Sequence, residues 1–425
     1  MNEAFLHYLW QYRLFDSRNL ITSEGSRVEV IRPGKLNSDA GPDFFNAQLR
    51  IDGTLWAGNV EIHIHASDWQ KHGHHFDPAY DNCILHVVFE KDMAALRKDG
   101  TAVPTIELKD KFPAHLWANY LQLLGTRGWV ACEHRLKETD SITIHGWLDR
   151  LGVERLEEKT KQIRQFLYWS RNDWEETFYQ HLAKNFGFRV NALPFELLSR
   201  SLPLRLIQKH RTRLQEVEAL LFGQAGMLSQ EFHDNYPISL ATEYRHLCKV
   251  YNLKPIHASA WKFLRLRPSN FPTIRIAQFA QLLKSRENLF SRVLQFDSIQ
   301  DGHDLFKINT SDYWINHFLF DKPADVMVKG MGRSSAENIM INTVVPFLFA
   351  WGKEQGSEAH RKKALDLLEK IPSEDNHLIR NWKEAGIPSL SAFHSQALIQ
   401  LKLQYCSEKK CLSCAIGNRL INSLP

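Results

Sequence analysis

The spacing of apolar residues changes character twice along the chain. Phe5, Leu9, Trp10 and Tyr12 recur at helical steps within residues 3–15, which predicts a short amphipathic helix. From Arg27 to Phe89 the runs VEVIRP, FFNAQLRID, LWAGNVEIHIH and CILHVVFE are rich in β-branched and aromatic residues, as strands are. Pro-Gly, Asn-Ser-Asp-Ala-Gly-Pro and Asp-Gly punctuate the first three. Asp52-Gly53 is a hairpin signal between FFNAQLRI and TLWAGNVEIHIH, and VPTIELKD at 103–110 adds a strand.

Beyond about residue 140 the period becomes helical. WLDRLGVERLEEKTKQIRQFLYWS, WEETFYQHLAKNF, FELLSRSLPLRLIQKHRTRLQEVEALLFG and IAQFAQLLKSRENLFSRVLQF repeat apolar residues every three or four positions, with Gly187, Gly223 and Gly226 as stops. KGMGRSSAENIMINTVVPFLFAWG lacks phosphate-loop spacing. It predicts a helix opened by a Ser334–Glu337 capping box and kinked at Pro346, with Lys329 and Arg333 as candidate anion contacts. The polar stretch CEHRLKETDS marks a boundary. The expected class is α+β: a mixed α/β domain over 1–138, then a mainly α-helical domain over 139–425 that ends in a cysteine cluster.

Composition changes this picture little. The 425 residues imply two or three domains, and 44% hydrophobic with 24% charged residues is ordinary for a globular chain. No apolar run reaches the roughly 18–20 residues of a membrane span, so no membrane partner is expected. The N-terminus carries Glu3, His7 and Arg13 and does not read as a signal peptide. Six cysteines are too few for a disulfide framework, so the expected location is cytoplasmic. A net charge of +5 leans weakly toward nucleic acid as partner, and nothing in the sequence sets an oligomeric state. GxSxG, GxGxxG and HExxH are absent, which sets aside serine hydrolases, dinucleotide-binding dehydrogenases and zincins.

The chemistry concentrates in residues 41–86. Asp43 opens one strand and Glu61 sits 18 residues later inside the next, so a hairpin places the two carboxylates side by side at a sheet edge. Alternation puts Glu61, His63 and His65 on one face. Histidines 63, 65, 72, 74, 75 and 86 put six of the chain's 20 into one short window, where even spacing would put about one. Asp68, His72, His74, His75 and Asp77 fall in a loop able to fold over the strand pair. Hard oxygens of this kind hold Mg²⁺ or Mn²⁺, and histidines with a carboxylate also suit zinc. A lone His86 reads as a core residue.

GPDFFNAQLRIDGTLWAGNVEIHIH resembles the PD-(D/E)xK (restriction-endonuclease-like) phosphodiesterase superfamily. Pro42-Asp43 matches its PD pair, Glu61-Ile62-His63 occupies the (D/E)xK position, and helix-then-three-strands fits residues 3–65. The resemblance implies Asp43 and Glu61 as metal ligands and His63 as the catalytic partner, standing where that superfamily has lysine. His65, His72, His74 and Asp77 are further metal candidates. Over most of its length the chain also resembles a bacterial family catalogued as a domain of unknown function, through GPDFFNAQLRIDG, GNVEIHIHASDW, DPAYDNCILHVV, EALLFGQAG, RLRPSNFP and CLSCAIG. That resemblance implies no activity.

Two further stretches carry candidate chemistry. Cys406, Cys411 and Cys414 form C-x4-C-x2-C, a spacing open to zinc, to an iron–sulfur cluster or to plain buried thiols. His394, Cys132 and Cys83 are candidates for a fourth ligand. One upstream cysteine with three C-terminal ones resembles the iron–sulfur staple of some recombination nucleases, and the tail also resembles the cluster loop of certain DNA glycosylases. Lys262, Arg265, Arg267 and Arg275, interleaved with Trp261, Phe263 and Phe271, suit phosphate contact and base stacking.

The leading expectation is a divalent-metal-dependent nuclease that uses Mg²⁺ or Mn²⁺ before Zn²⁺. A non-catalytic nucleic-acid-binding or scaffold protein with a nuclease-like fold, and a zinc hydrolase of a small substrate, are the alternatives.

Overall fold

The computed structural model describes residues 1–424. Two compact units form: residues 1–147 with 401–424, and residues 148–400. Helix accounts for 54% and strand for 11% of the chain, and the main sheet lies wholly in the first unit, so the two classes are segregated as in α+β proteins.

In the first unit, α1 (Glu3–Tyr12) starts at Asn2, whose side chain accepts the Phe5 N–H, and it buries Phe5, Leu6, Tyr8, Leu9 and Trp10. Strands β1 (Val28–Arg32), β2 (Lys35–Leu36), β3 (Phe44–Ile51), β4 (Thr54–His65), β5 (Cys83–Glu90) and β6 (Thr105–Glu107) follow. They make one sheet in the order β1-β3-β4-β5-β6, with β2 paired to β3. β1, β3 and β4 are an antiparallel meander, whereas β5 joins β4, and β6 joins β5, in parallel. Asp52 and Gly53 close the β3–β4 hairpin with φ of 47° and 81°, the pair of positive angles that a two-residue turn matching strand twist requires.

A parallel partner for β4 needs a crossover. Residues 66–82 supply it through the short helix α2 (Asp68–Lys71) and two 3-10 turns at His74–Phe76 and Pro78–Tyr80. Buried Trp69 anchors the crossover, its indole N–H donating to the Leu96 carbonyl at 2.9 Å. Helix α3 (Ala114–Gly125) follows the sheet, and the C-terminal helix Ala415–Asn422 docks against α3.

Helix α4 (Ser141–Trp169) leads into the second unit, where several sequence expectations are refined. The run 195–223 is three helices, Ala192–Ser201, Leu204–His210 and Leu214–Gln224, because Pro203 cannot continue the first. The run 276–296 breaks at Asn288, which is left-handed. No Ser334 capping box forms: the helix Arg333–Ile339 starts at Gly332, and Glu337 accepts from Arg333. Pro346 lies in the first turn of the helix Val345–Glu354, directly after a π-helical turn at Met340–Val344. Proline cannot donate to the Asn342 carbonyl, and the Asn185 side-chain amide donates there instead, at 3.2 Å.

The helical domain expected over 139–425 ends earlier than that. Residues 401–424 return to the first unit and bring the cysteine tail with them.

Candidate metal centre

Asp43 and Glu61 meet where β3 and β4 begin to separate. Phe44 pairs with Val60, and an irregularity between Phe44 and Ala47 adds one residue to β3. Asn46 takes φ of 56° there and donates its N–H to the Asn59 side chain. A second irregularity at Asn59–Val60 shifts the pairing with β5. Gly58 permits it: a Cβ at that position would lie 2.4 Å from Ile84 Cγ2 and 2.7 Å from the Asn82 carbonyl oxygen. Such bulges re-aim neighbouring side chains.

The two carboxylates are then locked reciprocally. The Asp43 N–H donates to Glu61 Oε2 at 3.1 Å, and the Ile62 N–H donates to Asp43 Oδ2 at 3.0 Å. The pair sits inside the sheet, not at its edge as the hairpin alone suggested, because β5 covers the far side of β4.

Glu61 and His63 are both buried, on one face of β4. Glu61 Oε1 lies 3.4 Å from His63 Nε2 and 3.3 Å from His74 Nε2. His63 Nε2 is 3.1 Å from His72 Nδ1, and His63 Nδ1 is 2.9 Å from His86 Nε2. One ligand atom from each of His63, His72 and His74 falls within 4.8 Å of the other two. The crossover delivers His72 and His74, with Gly73 at φ 75° reversing the chain between them. His74 stacks on Tyr80 at 3.8 Å between ring centroids. On the opposite carboxylate, His7 of α1 brings Nε2 to 3.1 Å from Asp43 Oδ2. The floor of the cluster is buried, whereas His72 is exposed and Asp43 is about a quarter exposed, so the site opens on that side.

Burial governs the charges. It raises the Glu61 carboxyl and pushes His63 and His86 down to about 3, so both imidazoles are neutral at physiological pH. Nδ1 of His75 and of His86 are buried without a hydrogen-bond partner, and His7 Nε2 and His74 Nε2 face carboxylate oxygens at 3.1 and 3.3 Å without hydrogen-bond geometry. Buried polar atoms are nearly always satisfied, so their concentration here is a property of the site.

The structure brings Asp43, Glu61, His63, His72 and His74 together and adds His7 and His86. No motif marked His7, and His86 reads as an isolated core residue in the sequence. His65 does not join: it ends β4 exposed. Asp77 does not join either, because its carboxylate caps the turn Pro78–Tyr80 by accepting the Ala79 N–H at 2.9 Å.

Among the basic candidates, Lys262, Arg265 and Arg267 are exposed. Arg275 is not available for phosphate. It is buried, donates to Gln278 Oε1, Asn270 Oδ1 and Ser335 Oγ, and lies over the Phe188 ring. Lys329 is likewise occupied by the Ile315 and Met327 carbonyls.

Fold and site together define an α+β protein whose mixed sheet carries a buried histidine–carboxylate cluster able to ligate a metal ion. The chain belongs to the family described as "Protein of unknown function (DUF2851)", whose match covers residues 3–377 and ends before the cysteine tail. No curated protein and no solved structure matches it. These comparisons do not confirm the resemblance to PD-(D/E)xK enzymes. Among the described residues no helix is long and apolar enough to cross a membrane.

Proposed function

We infer that the first unit is a divalent-metal-dependent phosphodiesterase acting on nucleic acid, with the ion held by His63, His72, His74 and Glu61 and with Asp43 beside it. The observation that carries this reading is the reciprocal Asp43–Glu61 lock, with Glu61 Oε1 also facing His63 and His74. A helix followed by a three-strand meander and a parallel fourth strand supports it.

The donor set fits an ion. If His63 turns its Nε2 lone pair into the cluster, its Nδ1–H donates to His86 Nε2, the outer hydrogen bond that metal-bound histidines usually make. Three imidazoles with one carboxylate suit Zn²⁺ or Mn²⁺ better than Mg²⁺, which favours oxygen. The ion would supply Lewis-acid activation and neutralise phosphate charge. His63 is buried and neutral, so it acts as a ligand and cannot supply the positive charge of the lysine it replaces. Asp43, on the open side, is placed to accept a proton from the attacking water. Exposed Lys262, Arg265 and Arg267 offer phosphate contacts in the second unit.

The test is cleavage of single- and double-stranded DNA and RNA, and of a small phosphodiester, with Mg²⁺, Mn²⁺ or Zn²⁺. Asp43→Ala and Glu61→Ala should each abolish turnover, and activity surviving both substitutions refutes the assignment. The three-histidine donor set favours a second reading, a zinc hydrolase of a small substrate. Turnover of the small ester alone would select it, and salt-dependent binding without cleavage would select a non-catalytic nucleic-acid binder.

A further inference from the structure

We propose that Cys132, Cys406, Cys411 and Cys414 form a four-thiolate metal site, built to hold one zinc ion or one iron–sulfur cluster and separate from the histidine cluster. Two segments about 270 residues apart in sequence bring them together within the first unit. Cys132 precedes the 3-10 turn Glu133–Glu138, which packs on the C-terminal helix Ala415–Asn422. Arg135 of that turn donates to the Ser423 hydroxyl at 2.9 Å, and Lys402 donates to the Trp129 carbonyl at 2.7 Å. Each of the other three sulfurs is close enough to Cys406 to act on its charge, and Cys411 and Cys414 act on Cys132 in the same way. Of the other fourth partners that the spacing left open, Cys83 is spent in the sheet core on the Leu85 carbonyl, and His394 belongs to the second unit.

The loop is wound around these sulfurs. Lys409 takes φ of 51°, and the N–H groups of Lys410, Ser413 and Cys414 fold back onto Tyr405, Lys410 and Cys411. A Cβ on residue 417 would lie 2.2 Å from the Cys411 carbonyl oxygen, so glycine lets the helix start close to the loop. Burial raises all four thiols above their ordinary value, so a bound metal is what would hold these sulfurs as thiolates. No disulfide forms among the six cysteines, all of which are free. Tetrahedral Zn²⁺ and iron–sulfur clusters both take four cysteine thiolates, and since no three of these sulfurs lie within 4.8 Å of one another, the wider span of an iron–sulfur cluster fits them better.

The experiment is metal and acid-labile sulfide analysis of the full chain purified without oxygen, together with its visible spectrum. About one zinc per chain, or iron with sulfide and a broad visible absorption, should persist in His63→Ala. It should be lost in Cys132→Ser and in Cys411→Ser. Cys248→Ser, outside the group, should change nothing. Should the cysteine variants fail to fold, titrating the folded wild-type chain with an organomercurial should release the same metal. The proposal is overturned if the wild-type chain holds no metal beyond that lost in His63→Ala, or if both cysteine variants keep a full complement. The histidine reading fails separately, if His63→Ala removes no metal at all.

Discussion

Replacing Arg275 with alanine separates a structural arginine from nucleic-acid-binding ones. Its guanidinium makes three hydrogen bonds, at 2.9, 2.6 and 3.0 Å. Bonds from a charged donor contribute about 1.5–3 kcal/mol each. Burial opposes them: it lowers Arg275 from 12.5 to about 10, a cost on the order of 3 kcal/mol for holding the charge inside. The surplus, with the Phe188 contact, leaves a net loss on the order of 3 kcal/mol in Arg275→Ala. For a unit of about 250 residues that lowers the melting temperature by about 6–12 °C. Scanning calorimetry of the full chain should show the second unit's transition moving by that amount. Arg265→Ala and Arg267→Ala should leave it in place and weaken salt-dependent DNA binding instead. If Arg275→Ala melts like the wild type while DNA binding falls as far as in Arg265→Ala, the structural role is refuted.

Three other outcomes follow from the same geometry. Gly58→Ala should destabilise the first unit by about 1–3 kcal/mol, read by circular-dichroism melting, because its Cβ meets Ile84 and the Asn82 backbone; an unchanged melt would show that the strands can spread. Glu218, buried and accepting from the Ser311 hydroxyl at 2.7 Å, is raised by burial from 4.5 to about 7. A raised carboxyl binds its proton more tightly when folded, so stability falls as pH rises from about 4.5 through 7. Glu218→Gln should therefore gain up to about 3 kcal/mol at pH 8 and nothing at pH 4, in denaturant titrations at the two pH values. His86→Phe preserves bulk but strands His63 Nδ1, and should weaken metal affinity by about 10–100-fold in competition titrations; full affinity would remove His86 from the site.

Much of the fold was legible because the relevant signals are local. Asp52-Gly53 fixed the hairpin, and alternation along residues 54–65 put Glu61 and His63 on one buried face. Asp43 and Glu61 could be paired from hairpin length alone. What the sequence hid depends on distant pairing. β5 lies parallel to β4, which moves the carboxylates from an edge to the sheet interior and sets His86 behind His63. Helix α1 presents His7 to Asp43 with no motif to announce it. Composition could not distinguish Arg275 from Arg265, because burial of a guanidinium depends on Asn270, Gln278 and Ser335 converging on it. Nor could spacing choose Cys132 as the companion of the tail, since that follows from the return of residues 401–424 to the first unit.

The central claim is that His63, His72, His74 and Glu61 hold a metal ion, and zinc K-edge X-ray absorption on the zinc-loaded chain tests it most directly. With Cys411→Ser in place, the account predicts nitrogen and oxygen neighbours at about 2.0–2.1 Å, lost together with the zinc in His63→Ala and His72→Ala. A spectrum showing sulfur ligands alone in the wild-type chain, with zinc content unchanged by either histidine substitution, would contradict it.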